Sequence, residues 1–218
     1  MKTESDLCAC GRHRRDIRHN RGMTEVAGSK RAQITRAALL EAAREVFSAA
    51  GYDAANMVDI ADRAGASIGS LYHHFAAKSD LYITLYNEYQ RRQQHRSAQA
   101  FRTALDRGEK DALQLFIIGT RAYLEGCWEE RELATMFLSG GGPAGFGLLT
   151  RQRFREWLHA NSTLTNGHTR PLSEMLVLCL TAMATEAGRE VASAPSRAKA
   201  RRMVDEVLEL MRRLYPSS

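Results

Sequence analysis

The chain has 218 residues with a net charge of +6, 44% hydrophobic residues and four prolines, so it is long enough to bury a substantial core in one or two domains. No apolar run approaches the roughly 18 residues of a membrane span, and the N-terminus lacks the apolar segment of a signal peptide. We therefore expect a cytoplasmic protein without structural disulfides, and the lack of convincing alternating segments favours an all-α fold.

Residues 1–28 are predicted to be a disordered basic leader, because the segment is polar and its first 22 residues lack any helical or strand period. Residues 1–22 contain six basic and three acidic side chains, which is half of the net charge. Cys8, Cys10 and His13 do not have a usual zinc spacing, so we predict no metal site there. An alternative is that the natural product starts at Met23.

A first helix is predicted from just after Ser29 to about Ala50, because apolar residues such as Leu39 and Phe47 follow the helical period there. Gly51 is expected to end this helix, since a glycine adopts the positive φ of a helix C-terminus without a Cβ penalty.

Residues 56–75 have the pattern of two short helices joined by a tight turn. Asn56 is a good N-cap for the first helix, and Gly65 is expected to end it with a positive φ. Ser67 caps the second helix, whose apolar residues recur at i, i+3, i+4 and i+7: Ile68, Leu71, Tyr72 and Phe75. Two short helices with a glycine in the turn are what a helix-turn-helix requires.

With these features the chain resembles the TetR family of transcriptional repressors. The resemblance covers roughly residues 30–85 and rests on many positions at fixed spacing: Leu39-Leu40, Ala42-Ala43, Phe47, Gly51-Tyr52, Ile60-Ala61, Ala64-Gly65, Ser67, Gly69-Ser70-Leu71-Tyr72, His74-Phe75, Lys78 and Leu81. It implies a three-helix DNA-binding domain at residues 29–77. Residues 23–80 carry six basic and seven acidic side chains, so the motif and not the bulk charge argues for DNA.

The predicted DNA contacts are the outward-facing residues around the second helix of the motif and the lysine after it: Ser67, Ile68, Gly69, Ser70, Tyr72, His73, His74 and Lys78. By the resemblance, Tyr72, His74 and Lys78 contact phosphates, and Ser67, Ile68 and Ser70 lie near bases. Gly69 would let backbone approach the DNA, and His73 projects from the same surface. The leader could then also be a basic arm that touches the minor groove.

Residues 78–218 are predicted to form a larger helical domain, which brings the chain to about nine helices. We expect helices at about 78–107, 110–126, 129–138, 148–160, 171–191 and 196–214. The sequence SGGGPAGFG at residues 139–147 contains G-x-G-x-x-G, but a helix precedes it and Pro143 interrupts it. We therefore exclude a nucleotide site and expect a flexible connection or a lid.

The last two predicted helices are more apolar than one face of a monomer requires. We predict that they pair with a second copy as a four-helix bundle, through Leu176, Leu180, Met183, Val204, Val207, Leu208 and Met211. The alternative is that these residues serve an intramolecular core. A two-fold dimer would place two recognition helices in successive major grooves. Cys127 and Cys179 are expected to be buried free thiols.

The resemblance also implies a ligand cavity in the larger domain, for which the helical aromatics are candidates: Tyr86, Tyr89, Phe116, Tyr123, Trp128, Phe137, Phe154 and Trp157. The predicted ligand is a small, mostly apolar or aromatic inducer, although each of these rings could instead fill the core. The glutamates at 125, 129, 130 and 132 are expected to be solvated.

No Ser/His/Asp arrangement, paired carboxylates or metal-ligand spacing is found, so we predict no catalytic residue, cofactor, metal or enzymatic activity. The sequence favours a homodimeric, ligand-responsive repressor that binds a palindromic operator. The alternative is a small all-α ligand-binding protein or enzyme whose helix-turn-helix is not used for DNA.

Overall fold

The computed structural model describes residues 13–162 and 172–214, and the side chains of residues 30–159 and 172–214. Across these ranges the chain forms nine α-helices and no strand, so the predicted all-α fold is confirmed. The helices are α1 (His13–Ala54), α2 (Met57–Arg63), α3 (Ile68–His74), α4 (Lys78–Asp106), α5 (Ala112–Glu129), α6 (Arg131–Leu138), α7 (Phe146–Ser162), α8 (Glu174–Ala192) and α9 (Arg197–Leu214).

The first helix is longer than the helix predicted from the spacing of apolar residues. α1 begins at His13, whereas the prediction placed its start just after Ser29. Residues 13–28 contain four arginines, which are good helix formers, and no proline; Gly22 and Gly28 weaken a helix but do not exclude one. Residues 1–12, with Cys8 and Cys10, lie outside the described part of the chain. At the other end, Gly51 leaves the helical path with φ +77°, as predicted.

α1, α2 and α3 pack into a small domain around the helix-turn-helix. The side chain of Asn56 accepts a hydrogen bond from the Val58 N–H at 3.0 Å, and Ser67 Oγ accepts one from the Ser70 N–H at 3.1 Å. Both predicted N-caps are therefore confirmed, and so is the positive φ of Gly65, at +63°. The core of this domain is formed by buried apolar residues of the three helices and of the residue that follows α3: Leu39, Ala43, Phe47, Ile60, Ala61, Leu71 and Phe75.

The larger domain is built around α5, which packs against α4, α8 and α9. Leu124 of α5, Leu180 of α8 and Leu208 of α9 are fully buried in one core. The close approach of α5 and α8 depends on Gly188, since an added Cβ would lie 3.0 Å from Tyr123 Oη. Among the described helices, none combines the length and the apolar stretch needed to cross a bilayer.

The two domains share a core at the start of α4, where Tyr82 is fully buried. Four rings lie edge-on around Tyr82, with centroids 5.4, 5.1, 5.2 and 5.1 Å from its own: Phe47 and Tyr52 from the small domain, and Phe137 and Phe146 from the larger one. Edge-to-face packing at these distances is favourable. The small domain is therefore joined to the larger one by packed side chains as well as by the chain.

The glycine-rich turn after α6 packs on the same tyrosine. The Tyr82 hydroxyl lies 3.1 Å from the Gly141 carbonyl oxygen and 3.3 Å from that of Met136, to either of which it can donate. Gly142 has φ +138°, and a Cβ added there would lie 3.0 Å from the Tyr82 ring. These contacts hold Gly141 and Gly142 against Tyr82, which sequence spacing does not reveal, and the expected flexibility of the connection stays a prediction.

Candidate nucleic-acid interface

The outer side of α3 is the candidate surface for nucleic acid. Leu71 is fully buried in the small-domain core, and this fixes which side of the short helix faces outward. On that side Ile68 is 41% exposed and Tyr72 is 52% exposed. The other predicted contacts of the motif accompany them, either exposed (Ser67, Gly69, His73) or half-buried (Ser70, His74). An isoleucine can contact a thymine methyl, while hydroxyl and imidazole groups can bond base edges or phosphates.

Gly69 lies in the middle of this surface, and the fold does not require a glycine there. A Cβ added at Gly69 would have one neighbour within 4 Å, Ser67 Oγ at 4.0 Å, which is an ordinary contact. Its φ is not in the positive region that favours glycine. Because glycine weakens a helix relative to alanine, Gly69 costs helix stability here without a packing reason among the described residues.

Lys78, the last of the predicted DNA contacts, caps the end of α1. Its Nζ donates to the carbonyl oxygens of Tyr52, Ala55 and Asp53 at 2.7, 3.0 and 3.1 Å, and lies 4.6 Å from the centroid of the Tyr52 ring. An ammonium group has three N–H donors, so these bonds use all of them. They also satisfy carbonyls that a helix end leaves without partners. Lys78 therefore holds the segment that leads from α1 into α2.

The eight aromatics predicted for the ligand pocket are placed in packed surroundings. Tyr86 and Tyr89 are buried in the shared core, with ring centroids 5.4 and 5.5 Å from that of Phe137. Four others pack against the core of α5, α8 and α9: Phe116, Tyr123, Trp128 and Trp157. Phe154 is half-buried on α7. None of the eight lines the cleft of about 320 Å³ between α1, α4 and α6, or the groove of about 890 Å³ between α4 and α5.

The larger domain buries a polar group that the sequence analysis missed. Gln93 is 2% exposed; its Nε2 lies 3.4 Å from Glu130 Oε1, and its own Oε1 has no hydrogen-bond partner. Glu130 accepts from Arg92 at 2.7 Å and also from Arg96, and its side chain is 16% exposed. The expectation of a solvated Glu130 is therefore wrong. The burial of Gln93 could have been inferred from its position, because Gln93 lies one helical turn after Tyr89 on the same side of α4.

The two cysteines with described side chains differ in their surroundings. Cys127 is fully buried, with Sγ 3.6 Å from Tyr89 Oη. Burial raises the pKa of this thiol to about 11, so it is protonated and unreactive near neutral pH. Cys179 is exposed on α8, which corrects the prediction that both thiols are buried. In the described part of the chain, no three potential metal ligands lie together.

The predicted dimer residues divide between the core and its edge. Leu180, Val204, Leu208 and Met211 are 0–2% exposed and belong to the core of the single chain. Leu176, Met183 and Val207 are half-buried beside them. Next to these runs an exposed apolar stripe: Met175 (66% exposed), Cys179 and Ala182 on α8, and Leu210 (53%) and Leu214 (54%) on α9. Helical period alone cannot tell these two neighbouring apolar faces apart.

Comparison with known proteins identifies the N-terminal part. The sequence profile of bacterial regulatory proteins of the tetR family matches residues 39–85. The chain is 43% identical over 75 residues to the HTH-type transcriptional activator FasR of Mycolicibacterium smegmatis, a match that covers 34% of each protein. It is 46% identical over 59 residues to the HTH-type transcriptional repressor KstR2 of Mycobacterium tuberculosis, covering 27% of this chain and 28% of KstR2. The chain thus matches about a third of the length of these curated relatives.

The fold as a whole also has solved counterparts. The transcriptional regulator FadR of Bacillus subtilis, solved in complex with stearoyl-CoA, superposes with a TM-score of 0.64 over 80% of this chain and 96% of FadR. At 16% identity this likeness concerns the fold alone. The resemblance carried by the helix-turn-helix residues is confirmed: residues 39–85 form a segment that matches the bacterial regulatory proteins of the tetR family.

Proposed function

We propose that the chain is a ligand-responsive transcriptional repressor that binds a palindromic operator in double-stranded DNA as a homodimer. The observation that supports DNA binding best is the outer side of α3, where Ile68 and Tyr72 are exposed around a glycine that the fold does not need. In this proposal residues 29–77 are the DNA-binding domain and residues 78–218 the ligand-binding and dimerisation domain. Residues 1–28 are a basic leader, and the protein acts in the cytoplasm, where operators are found.

The proposed contacts follow from the placement of each side chain. Ser67, Ile68 and Ser70 precede the buried Leu71 and would read base edges, with Gly69 allowing the backbone close to the groove. Tyr72, His73 and His74 follow it and would reach phosphates, which position the helix without reading sequence. Lys78 would act through the end of α1, since its three donors are already used.

The proposed dimer forms through α8 and α9. The exposed stripe of Met175, Ala182, Leu210 and Leu214 offers an apolar surface that a second copy would cover. Leu176, Met183 and Val207 lie at its edge, and the four buried residues of the predicted interface support it from behind. Two-fold pairing would set the recognition helices about 34–36 Å apart, which is one turn of DNA.

The proposed inducer is small and mostly apolar or aromatic. Support comes from the abundance of apolar and aromatic side chains in the larger domain and from FadR, whose solved complex contains stearoyl-CoA. A ligand that favours another separation of the two small domains would weaken operator binding, and DNA must then weaken the ligand by the same factor.

Selection of bound duplexes from a random pool tests the proposal. We expect an enriched palindrome with half-sites one helical turn apart, bound by the dimer in a fluorescence anisotropy titration. A repressor should lower expression of a reporter that carries this site. The competing function is a helical ligand-binding protein or enzyme that does not use its helix-turn-helix, and a pool without any enriched sequence would favour it.

A further inference from the structure

A groove of about 890 Å³ runs between α4 and α5 in the larger domain. This volume lies within the range of about 300–1,000 Å³ that is usual for small-molecule sites. Its small and apolar lining residues are Ala100, Ala104, Ile118, Ala122 and Gly126. Its charged lining residues carry both signs: Arg96, Arg107, Glu109, Glu125 and Glu129. Gln99 and Thr103 add uncharged polar groups. The groove therefore combines a small apolar surface with polar groups of both signs, and it does not select a strongly charged ligand.

The Gln93 amide lies directly behind one end of this groove. A Cβ added to Gly126 would lie 2.3 Å from Gln93 Oε1 and 3.1 Å from Arg96 Cδ. The amide oxygen thus fills the space that a side chain at position 126 would occupy. This oxygen is buried without a hydrogen-bond partner, which destabilises the folded protein unless something else supplies a donor.

Glu130 settles which atom of the amide faces Gly126. Gln93 Nε2 lies 3.4 Å from Glu130 Oε1, and exchanging the two amide atoms would set an oxygen against that carboxylate. Arg96 and Gly126 both line the groove, the Arg96 stem lies against the same face of Gly126 as the Gln93 amide, and the Arg96 side chain is 31% exposed. Arg96 also lies 3.3 Å from Glu129. A rotation of this long side chain, which would exchange its bonds to Glu129 and Glu130 for contacts with the ligand, would expose the Gln93 amide without moving a helix.

We propose that the groove between α4 and α5 binds the effector, an uncharged molecule with an aliphatic body and an N–H or O–H group that donates to Gln93 Oε1. The inference rests on the proposed function and names the ligand class and its site. It also explains how the ligand could affect the small domain, because Gln93 and Arg96 belong to α4, whose first turns lie in the core shared by the two domains. A ligand seated between α4 and α5 would act on that helix directly.

A matched pair of amides tests the site on the full chain without DNA. Octanamide has two N–H donors, whereas N,N-dimethyloctanamide has the same chain and carbonyl group but no donor. By isothermal titration calorimetry we expect octanamide to bind about three- to tenfold more tightly, which is the effect of one neutral hydrogen bond. Gln93→Leu should abolish this preference. Gln94→Leu, at the exposed neighbouring position, should retain it.

A second variant keeps the proposal testable if Gln93→Leu does not fold. Ala122→Phe narrows the groove while leaving Gln93 unchanged, and it should weaken both amides. The inference is overturned if neither amide binds wild-type protein at concentrations on the order of 1 mM, or if Gln93→Leu keeps the preference. Wild-type protein that binds octanamide but no enriched duplex would overturn the proposed function and leave the groove as a ligand site.

Discussion

Replacing Gly69 by alanine should strengthen the fold and weaken DNA binding. The added Cβ meets only Ser67 Oγ at 4.0 Å, so it introduces no strain within the chain. Alanine is favoured over glycine in helices by about 0.5–1 kcal/mol, and the lower value applies in this first turn. A gain of about 0.5 kcal/mol corresponds to a melting temperature about 1–2 °C higher for a chain of this size. The same methyl group would point at the DNA and cost about 1–3 kcal/mol in operator affinity, as the loss of one base contact does.

Gly65 provides the matched control for this prediction. Its φ of +63° lies in the left-handed region that strongly favours glycine over alanine, so Gly65→Ala should destabilise the protein by about 1–2 kcal/mol. Thermal unfolding and anisotropy titration of the selected operator would be measured for both variants. If Gly69→Ala binds the operator as well as wild-type protein, α3 does not approach DNA at this position. A lowered melting temperature for Gly69→Ala would contradict the packing argument.

Three further changes test other parts of the reasoning. Lys78→Met should lower the free energy of unfolding by about 2–3 kcal/mol, because three carbonyls lose a charged donor, and should leave the salt dependence of DNA binding unchanged. Leu210→Glu should give a folded monomer with weak operator binding, whereas Leu208→Glu should unfold the chain, since Leu208 is fully buried. Deleting residues 1–22 should leave the melting temperature nearly unchanged and reduce non-specific DNA affinity, because the described core begins at Leu39.

Each of these expectations has a contrary outcome. A Lys78→Met protein of normal stability whose salt slope falls by about 0.9 would show a phosphate contact instead of a helix cap. A Leu210→Glu dimer, seen by light scattering, would exclude the exposed stripe as the interface. A large fall in melting temperature after the deletion would show that the leader contributes to the folded core.

The sequence alone predicted those features that depend only on residues close together in the chain. The caps at Asn56 and Ser67 and the positive φ of Gly65 follow from local chain chemistry, and all three were predicted. The outer side of α3 was predictable for the same reason, since burying Leu71 leaves one direction for Tyr72. These features need no knowledge of distant residues.

The remaining features depend on contacts between residues far apart in the sequence. Lys78 became a helix cap because the end of α1 lies beside it, which its own neighbours in the sequence do not indicate. Leu208 and Leu210 belong to adjacent faces of one apolar helix, and only the position of α5 decides which is buried. Gln93 was overlooked because polar residues are assumed to be solvated, although its spacing from Tyr89 placed it on the buried side.

The ring cluster around Tyr82 bears on how the protein unfolds and how it could be re-engineered. A cut between residues 77 and 78 would pass through a continuous core and leave the stacked rings of Phe47 and Tyr52 without the Tyr82 ring that packs edge-on against both. The two domains should therefore melt in a single cooperative transition. For the same reason, the small domain cannot be transferred on its own: a chimera that uses it must also include the first turns of α4, at least through Tyr82.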